Sequence, residues 1–367
     1  MLPNASMTIK VPGKLMIAGE FAVLQPHHEL VVMAVDRFVY ATIEDHHTNT
    51  ITLNDFGLYD IGWTYVDNRV TFKTNDGRNR FVGAAMATAL TYLKEKNIHP
   101  HSFRLAIKSE LDDASGVKYG LGSSAAVVTS VISAILNKYD DKEPTALLTF
   151  KLAAISHVRT QGNGSGADVA ASSYGGFLQY ASFQAEWLQE QYEYTSTITE
   201  LLEKDWPYLS IDPVKIPPTV YVCIGWTGKP ASTSRLVDDI LKLKTTKQSK
   251  FKQFLDDSET AVGNFLQGMT EGDLPLLLQG IKQNRKALAT VGENAGVEIE
   301  TPLLRTLCDI AENMGGAGKP SGAGGGDCGI AFMPSKKQAG EIIHAWEAAG
   351  IKPLTIQPFH TGAHIVS

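Results

Sequence analysis

The chain has 367 residues, of which 43% are hydrophobic and 20% are charged, and its formal net charge is −6. These values indicate a globular protein with room for two domains, and they argue against broad nucleic-acid binding. The cysteines Cys223, Cys308 and Cys328 are odd in number and far apart, which predicts neither disulfides nor a zinc site and favours a cytoplasmic location. Because no apolar run is long enough to span a bilayer, we expect no membrane partner.

Hydrophobic periodicity predicts the elements of the first half of the chain. It indicates strands over 8–11, 15–18, 31–44, 103–107 and 176–181, weaker strands between 50 and 75, and helices over 81–94 and 144–159. The residues Pro12-Gly13-Lys14 between the first two strands are typical of a turn.

The second half follows a proline-rich stretch, in which Pro213, Pro217 and Pro218 mark a domain boundary. Beyond it the pattern predicts strands over 220–225, 329–333 and 353–357, helices to about 289, over 302–313 and through Trp346, and a glycine-dense loop over 315–327. We therefore predict an α+β fold with two domains, residues 1–215 and 216–367.

The stretch Gly120-Leu121-Gly122-Ser123-Ser124-Ala125 is typical of a tight turn that leads into a helix. The first N–H groups of a helix lack internal partners and carry partial positive charge, so this turn suits phosphate. A serine-capped helix after a glycine turn is the alternative. The stretch also fits a G-x-G-x-x-A dinucleotide pattern, but the polar residues 112–119 stand where that pattern requires a buried strand.

The remaining loops favour phosphoryl transfer. Neither a G-x-x-x-x-G-K-[ST] loop nor a G-x-S-x-G elbow is present in the sequence. Glycine- and hydroxyl-bearing loops remain at 120–126, 161–168 and 315–327, together with an N-terminal lysine, Lys14, and an acid, Asp168. Phosphoryl transfer requires mainly positioning and charge neutralisation, which these groups provide.

Three stretches resemble the motifs of the GHMP kinases, in order and over nearly the whole chain: residues 12–24, 120–126 and 321–328. The resemblance implies an N-terminal two-layer α/β domain, a C-terminal ferredoxin-like domain and ATP bound between them. Within this family the chain looks like the bacterial phosphomevalonate kinases, on residues 112–124, 224–232, 283–285 and 324–329.

The resemblance also implies roles for residues of the ATP site. Lys14 matches the active-site lysine, and Asp168 matches an aspartate that acts as base or positioning group, with a helix N-cap as its alternative. Ser124 matches a magnesium-associated serine, while Ser123 could cap the helix, and Glu20 could contact magnesium or orient Lys14. The expected nucleotide-binding residues are Lys118, Gly120, Leu121, Gly122, Ser123, Ser124 and Ala125.

The implied reaction is magnesium-dependent transfer of the ATP γ-phosphoryl to (R)-5-phosphomevalonate, within isoprenoid synthesis. A phosphate acceptor needs a cationic or N–H-rich pocket, and the candidates are Lys229, Ser232, Thr233 and Arg285. We expect Ser321, Gly322, Ala323 and Gly324 to shape both the ATP and the acceptor phosphate sites, and Ser165 to cap a helix or contact substrate. Mevalonate kinase, which differs in its acceptor, and a non-catalytic sensor on the same fold are the alternatives; Lys14, Ser124 and Asp168 together argue against the sensor. We expect small-molecule substrates as partners and a monomer or homodimer.

Overall fold

The computed structural model describes residues 6–113, 116–230 and 233–367, and for residues 233 and 234 it describes the backbone alone. The strands are β1 (Met7–Ala18), β2 (Glu29–Asp45), β3 (Thr50–Leu53), β4 (Leu58–Val66), β5 (Arg69–Phe72), β6 (Phe103–Ser109), β7 (Phe177–Ala181), β8 (Ser210–Val214), β9 (Tyr221–Trp226), β10 (Ala317–Pro320), β11 (Cys328–Met333), β12 (Lys352–Leu354) and β13 (His364–Ile365). The helices are α1 (Arg80–Glu95), α2 (Ser123–Tyr139), α3 (Ala146–Gln161), α4 (Ala167–Tyr174), α5 (Ala185–Tyr194), α6 (Ile198–Glu203), α7 (Thr233–Leu241), α8 (Leu243–Thr246), α9 (Gln248–Glu271), α10 (Leu274–Ala295), α11 (Pro302–Asn313) and α12 (Lys336–Ala348). In the described residues, no helix combines the length and the apolar composition that crossing a membrane requires.

The described strands include a larger sheet of nine, in the order β13-β1-β2-β6-β3-β4-β5, with β7 joining β2 to β8. The centre of this sheet is β2, which pairs with β1 along one edge and with β7 and then β6 along the other. Its residues Leu30–Val35 are all buried, as expected for a strand that is covered on both faces. The cover comes from α2, α4 and α9.

The smaller sheet is antiparallel, with the order β10-β11-β9-β12. Leu307 of α11 and Trp346 of α12 are fully buried in the cluster that covers one face. Helices α9 and α10 contact both sheets, and the rings of Phe265 and Phe332 lie 5.4 Å apart where α9 meets β11. One hydrophobic core therefore runs from the larger sheet into the smaller one. The predicted two-domain α+β architecture is confirmed.

Two local predictions differ from the structure. Pro12-Gly13-Lys14 is not a turn, because β1 continues through it with a bulge between Pro12 and Gly13, a position where a residue without an N–H is tolerated. Residues 317–320 are not part of a loop: they form β10, since pairing with 329–332 outweighs their low strand propensity. Strand β13 returns the end of the chain to β1. The division into residues 1–215 and 216–367 stays a prediction.

Candidate active site

The phosphate loop, residues Gly120–Gly122, lies against β1. Nζ of Lys14 donates to the Gly120 carbonyl at 3.1 Å, and the Lys14 N–H donates to the Leu121 carbonyl at 2.9 Å. Gly120 and Gly122 have φ values of 84° and 77°, which side chains rarely adopt, and a Cβ on Gly122 would lie 2.9 Å from Cγ of Lys14. The two glycines thus allow the Lys14 side chain to lie along the loop.

Helix α2 begins directly after the phosphate loop. Gly122 is its N-cap, so the predicted cap role of Ser123 is wrong: Ser123 is the first helical residue. Because a glycine cap offers no side-chain acceptor, the first N–H groups of α2 keep the anion-binding character of a helix N-terminus. Oγ of Ser124 lies 3.0 Å from Nε2 of His157 on α3. We assigned no role to His157 from the sequence, where its only signal is a polar ring on an apolar helix face.

The glycine-rich segment, residues 321–327, is fastened to the same place from the C-terminal side. The Ser321 hydroxyl donates to the Met16 carbonyl of β1 at 2.9 Å. The Gly325 N–H donates to the Ile299 carbonyl at 2.7 Å. At the other end of the segment, a Cβ on Gly120 would lie 2.7 Å from Cβ of Asp327, so this aspartate contacts the phosphate loop. The segment thus brings Asp327, which we had not singled out as a site residue, to the candidate site.

A buried ionic network joins the end of β1 to the glycine-rich segment. Oε1 of Glu20 accepts from Nζ of Lys319 and, at 3.2 Å, from the Gly322 N–H, while Oε2 accepts from the Asn284 amide at 3.0 Å. The Asn284 carbonyl oxygen in turn accepts from the Gly19 N–H at 3.0 Å. Glu20 is 4% exposed and Lys319 is 0% exposed. The structure therefore gives Glu20 a different role from the predicted contact with magnesium or Lys14: it joins the two halves of the chain.

The loop before α4 carries Ser165 and Asp168. Oγ of Ser165 accepts from the Ala167 N–H at 3.3 Å, and its carbonyl accepts from the Tyr180 hydroxyl at 2.6 Å. Burial, and secondly the Asp168 charge, raise the pKa of Tyr180 and keep this hydroxyl a donor. Gly166, rather than Asp168, is the N-cap of α4, and Oδ1 of Asp168 accepts from the next N–H at 2.9 Å. Within the described residues, Asp168 and Lys14 form no ion pair.

Arg285 is not available to an acceptor phosphate, which corrects the prediction. Its guanidinium donates to Glu300 through Nε and Nη2, to Asp309 at 2.6 Å and to Glu312 at 2.8 Å. These contacts join α10 to α11 and to Glu300, which lies two positions before α11 begins. The sequence did not reveal this, because the three carboxylates lie 15, 24 and 27 positions away along the chain.

The structure describes some of the other predicted site residues. Lys118, a predicted nucleotide contact, and Lys229, a predicted acceptor contact, have exposed side chains. The Lys229 carbonyl accepts from the Asp327 N–H at 2.7 Å, which places its backbone beside the site. Ser232 lies outside the described residues, and Thr233 begins α7 without a described side chain.

Asp112, which bridges to Lys118 just before the phosphate loop, is a further candidate contact. Burial raises the pKa of its carboxyl group, and the charge of Lys118 opposes that shift. Among the described residues, its Oδ1 is buried without a hydrogen-bond partner.

The comparison with known proteins decides the family. The family of GHMP kinases N terminal domains matches residues 80–176, and that of GHMP kinases C terminal regions matches residues 265–352. A phosphomevalonate kinase of Streptomyces sp. (strain CL190) is 33% identical over 361 residues, which cover 95% of this chain and 96% of that protein. The chain belongs to the GHMP kinases. Recognition of the family from its three motifs is confirmed.

Two solved structures resemble this GHMP kinase over almost all of its length. A Lin0012 protein from Listeria innocua has a TM-score of 0.91 and 38% identity, covering 99% of this chain and 100% of that one. A Streptococcus pneumoniae phosphomevalonate kinase in complex with phosphomevalonate and AMPPNP has a TM-score of 0.84 and 26% identity, covering 96% and 99%. A mevalonate kinase of Thermococcus sibiricus is 25% identical, covering 96% of each chain. The predicted likeness to bacterial phosphomevalonate kinases is confirmed.

Proposed function

We propose that this GHMP kinase transfers the γ-phosphoryl group of ATP to (R)-5-phosphomevalonate, giving 5-diphosphomevalonate and ADP. The observation that carries the proposal is the meeting of β1, the phosphate loop and the glycine-rich segment around Lys14, in a chain similar throughout to phosphomevalonate kinases. The solved relative from Streptococcus pneumoniae binds phosphomevalonate together with an ATP analogue, AMPPNP.

The proposed ATP site uses backbone donors and one lysine. The first N–H groups of α2 bind nucleotide phosphates, as helix N-termini do. The Lys14 ammonium, held at 3.1 Å from the Gly120 carbonyl, neutralises charge on the transferred group. Ser321 and Gly322 shape the site from the opposite side, since both are fastened to the β1 end.

The residues present fit a magnesium ion that is held largely by substrate. Magnesium is ordinarily bound by one or two carboxylates together with substrate phosphates, rather than by an all-protein cage. Consistently, no group of three or more His, Cys, Asp or Glu side chains in the described residues is arranged to hold a metal. Ser124 and Asp168 offer the hard oxygen donors, and a bound magnesium would neutralise charge between the ATP phosphates.

Asp168 is proposed to position the magnesium ion rather than to act as an obligatory base. The second pKa of a phosphate monoester is about 6, so the acceptor is already largely ionised near neutrality. We expect Asp168→Asn to lower kcat by less than about 100-fold, the small end of general-base effects. Its pH profile should still follow ionisation of the acceptor. Loss of turnover with a steep pH dependence unrelated to the acceptor would contradict this role.

The reaction is tested by measuring ADP release with magnesium and ATP, comparing phosphomevalonate with mevalonate. Turnover with phosphomevalonate alone supports the proposal. Turnover with mevalonate alone keeps the ATP site and replaces the acceptor, while ATP binding without turnover on any acceptor would favour a sensor.

We also propose a cytoplasmic location and a monomer or homodimer. The first rests on Cys223, Cys308 and Cys328, which are all free and buried. Fractionation and sedimentation test the two proposals.

A further inference from the structure

His157 is a buried histidine among apolar residues of α3. It is 2% exposed on α3, where the residues around it in the helix, Ala153, Ala154 and Val158, are buried and apolar. Its ring stacks on Phe81 of α1, with centroids 5.4 Å apart and planes inclined by 26°. The Arg80 guanidinium lies 4.9 Å from the centroid of the same Phe81 ring. The imidazole is therefore fixed in one orientation by packing.

The polar edge of this fixed ring meets the ATP site. Nε2 of His157 lies 3.0 Å from Oγ of Ser124, in the first turn of α2. In the described residues, the histidines that pair with a carboxylate are His101 and His344, both with largely exposed side chains. Burial of the polar nitrogens of an imidazole is unfavourable unless they are hydrogen-bonded. The hydrogen bond to Ser124 therefore indicates a role for His157 beyond packing.

We propose that His157 is a positioning residue that makes Ser124 an oxygen ligand, because Nε2 accepts a hydrogen bond from the Ser124 hydroxyl. A hydroxyl has one donor hydrogen and two acceptor lone pairs. When the hydrogen is directed to His157, both lone pairs of the Ser124 oxygen remain for a cation. In the opposite tautomer Nε2 would donate, and the Ser124 hydrogen would be available to a phosphate oxygen instead.

The proposal rests on the proposed function, since it concerns the metal–nucleotide site of a kinase. It also distinguishes the two adjacent serines. Ser123, the first residue of α2, keeps its hydroxyl for phosphate or solvent, whereas that of Ser124 is oriented by His157. The neutral imidazole must carry its proton on Nδ1 for this arrangement.

The tautomer is measured directly by 15N NMR of histidine-labelled protein without nucleotide, and the His157→Phe spectrum identifies the resonances. We expect Nε2 of His157 to show the chemical shift of an unprotonated imidazole nitrogen. A protonated Nε2 would overturn the proposal. This readout requires neither magnesium nor an acceptor, so it is independent of whether phosphomevalonate is the substrate.

Calorimetric binding of AMPPNP supplies the second readout. His157→Phe preserves an aromatic ring against Phe81 and removes the bond to Ser124, whereas His157→Gln can restore an acceptor. We expect His157→Phe to weaken AMPPNP binding about 3- to 10-fold with magnesium, as for loss of one hydrogen bond, and to leave binding in EDTA unchanged. His157→Gln should bind within about threefold of the parent protein.

A double-mutant cycle with Ser124→Ala separates positioning from packing. In the Ser124→Ala background, His157→Phe should cause no further loss of magnesium-dependent binding. Ser123→Ala is the matched control, in which the loss from His157→Phe should persist in full. Equal losses with magnesium and with EDTA, or the same loss in the Ser124→Ala background, would overturn the proposal. If His157→Phe fails to fold, the His157→Gln spectrum identifies the resonances instead, and the tautomer measurement still decides the proposal.

Discussion

Substitution of Glu20 by Gln tests the buried network that joins the two halves of the chain. The replacement keeps the size of the side chain and removes its charge. All three groups that face the carboxylate are donors: Nζ of Lys319, the Gly322 N–H and the Asn284 amide. A glutamine must place its own NH2 against one of them, and Asn284 cannot reverse without losing its bond from the Gly19 N–H. The substitution therefore leaves Lys319 buried and charged without a counter-ion.

The size of the effect follows from this geometry. Removing one partner of a buried ion pair costs about 3–5 kcal/mol. The unfolding entropy of 367 residues at ~2.1 cal/mol/K per residue is about 0.8 kcal/mol/K. Because the core is continuous between the sheets, we treat the described chain as one unfolding unit. The expected decrease in Tm is about 4–6 °C.

Differential scanning calorimetry measures this change, with Glu341→Gln as the matched control. Glu341 pairs with Lys337 on the exposed face of α12, at 3.7 Å, and such a pair contributes less than about 1 kcal/mol. The double variant Glu20→Gln with Lys319→Met removes both charges of this network and should recover most of the lost stability. A Tm for Glu20→Gln within 1 °C of the parent protein would refute the reasoning.

Two further substitutions and one depletion test the site. Gly122→Ala and its control Gly296→Ala both place a side chain at positive φ, 77° and 70°, and each should lower the free energy of unfolding by about 1 kcal/mol. Because Gly296 faces open space, only Gly122→Ala should lower kcat/KM, by at least about 10-fold. Equal activity of the two variants would contradict the contact with Lys14. Arg285→Met should lower the free energy of unfolding by about 3 kcal/mol and leave KM for phosphomevalonate within about twofold. A large rise in KM would instead support the predicted contact between Arg285 and the phosphate of the acceptor substrate. Chelation of magnesium with EDTA should abolish ADP release and be reversed by added magnesium.

The sequence was sufficient for features that depend on neighbouring residues. The helix after the phosphate loop and the hydrophobic strand β2 are local patterns, and each lies where the sequence predicted it. The order of the three motifs was enough to predict the family and the two-domain architecture. Even so, Pro12-Gly13-Lys14 is typical of a turn and yet lies within β1, because a bulge within a strand and a turn between strands use the same residues.

Features that depend on distant partners were not predictable from one sequence. Glu20 and Lys319 are 299 positions apart, and neither residue carries a local sign that it is buried. His157 is 33 positions from Ser124, and its place on an apolar helix face is equally typical of a histidine that only packs. Arg285 is the opposite case. Its place near a motif favoured a contact with phosphate, but its guanidinium donates to carboxylates.

The arrangement of cations explains how the site can serve two phosphate-bearing substrates. Lys319 and Arg285 are already neutralised by carboxylates, so they hold segments together and add little positive charge at the site. In the part of the chain that the structure describes, the cations beside the phosphate loop include Lys14, Lys118 and Lys229. A lysine is a flexible point charge, whereas an arginine holds a pair of oxygens in a fixed fork. Because a transferred phosphoryl group moves from one phosphate to another, flexible lysines can follow it while the paired cations keep the surrounding loops in place.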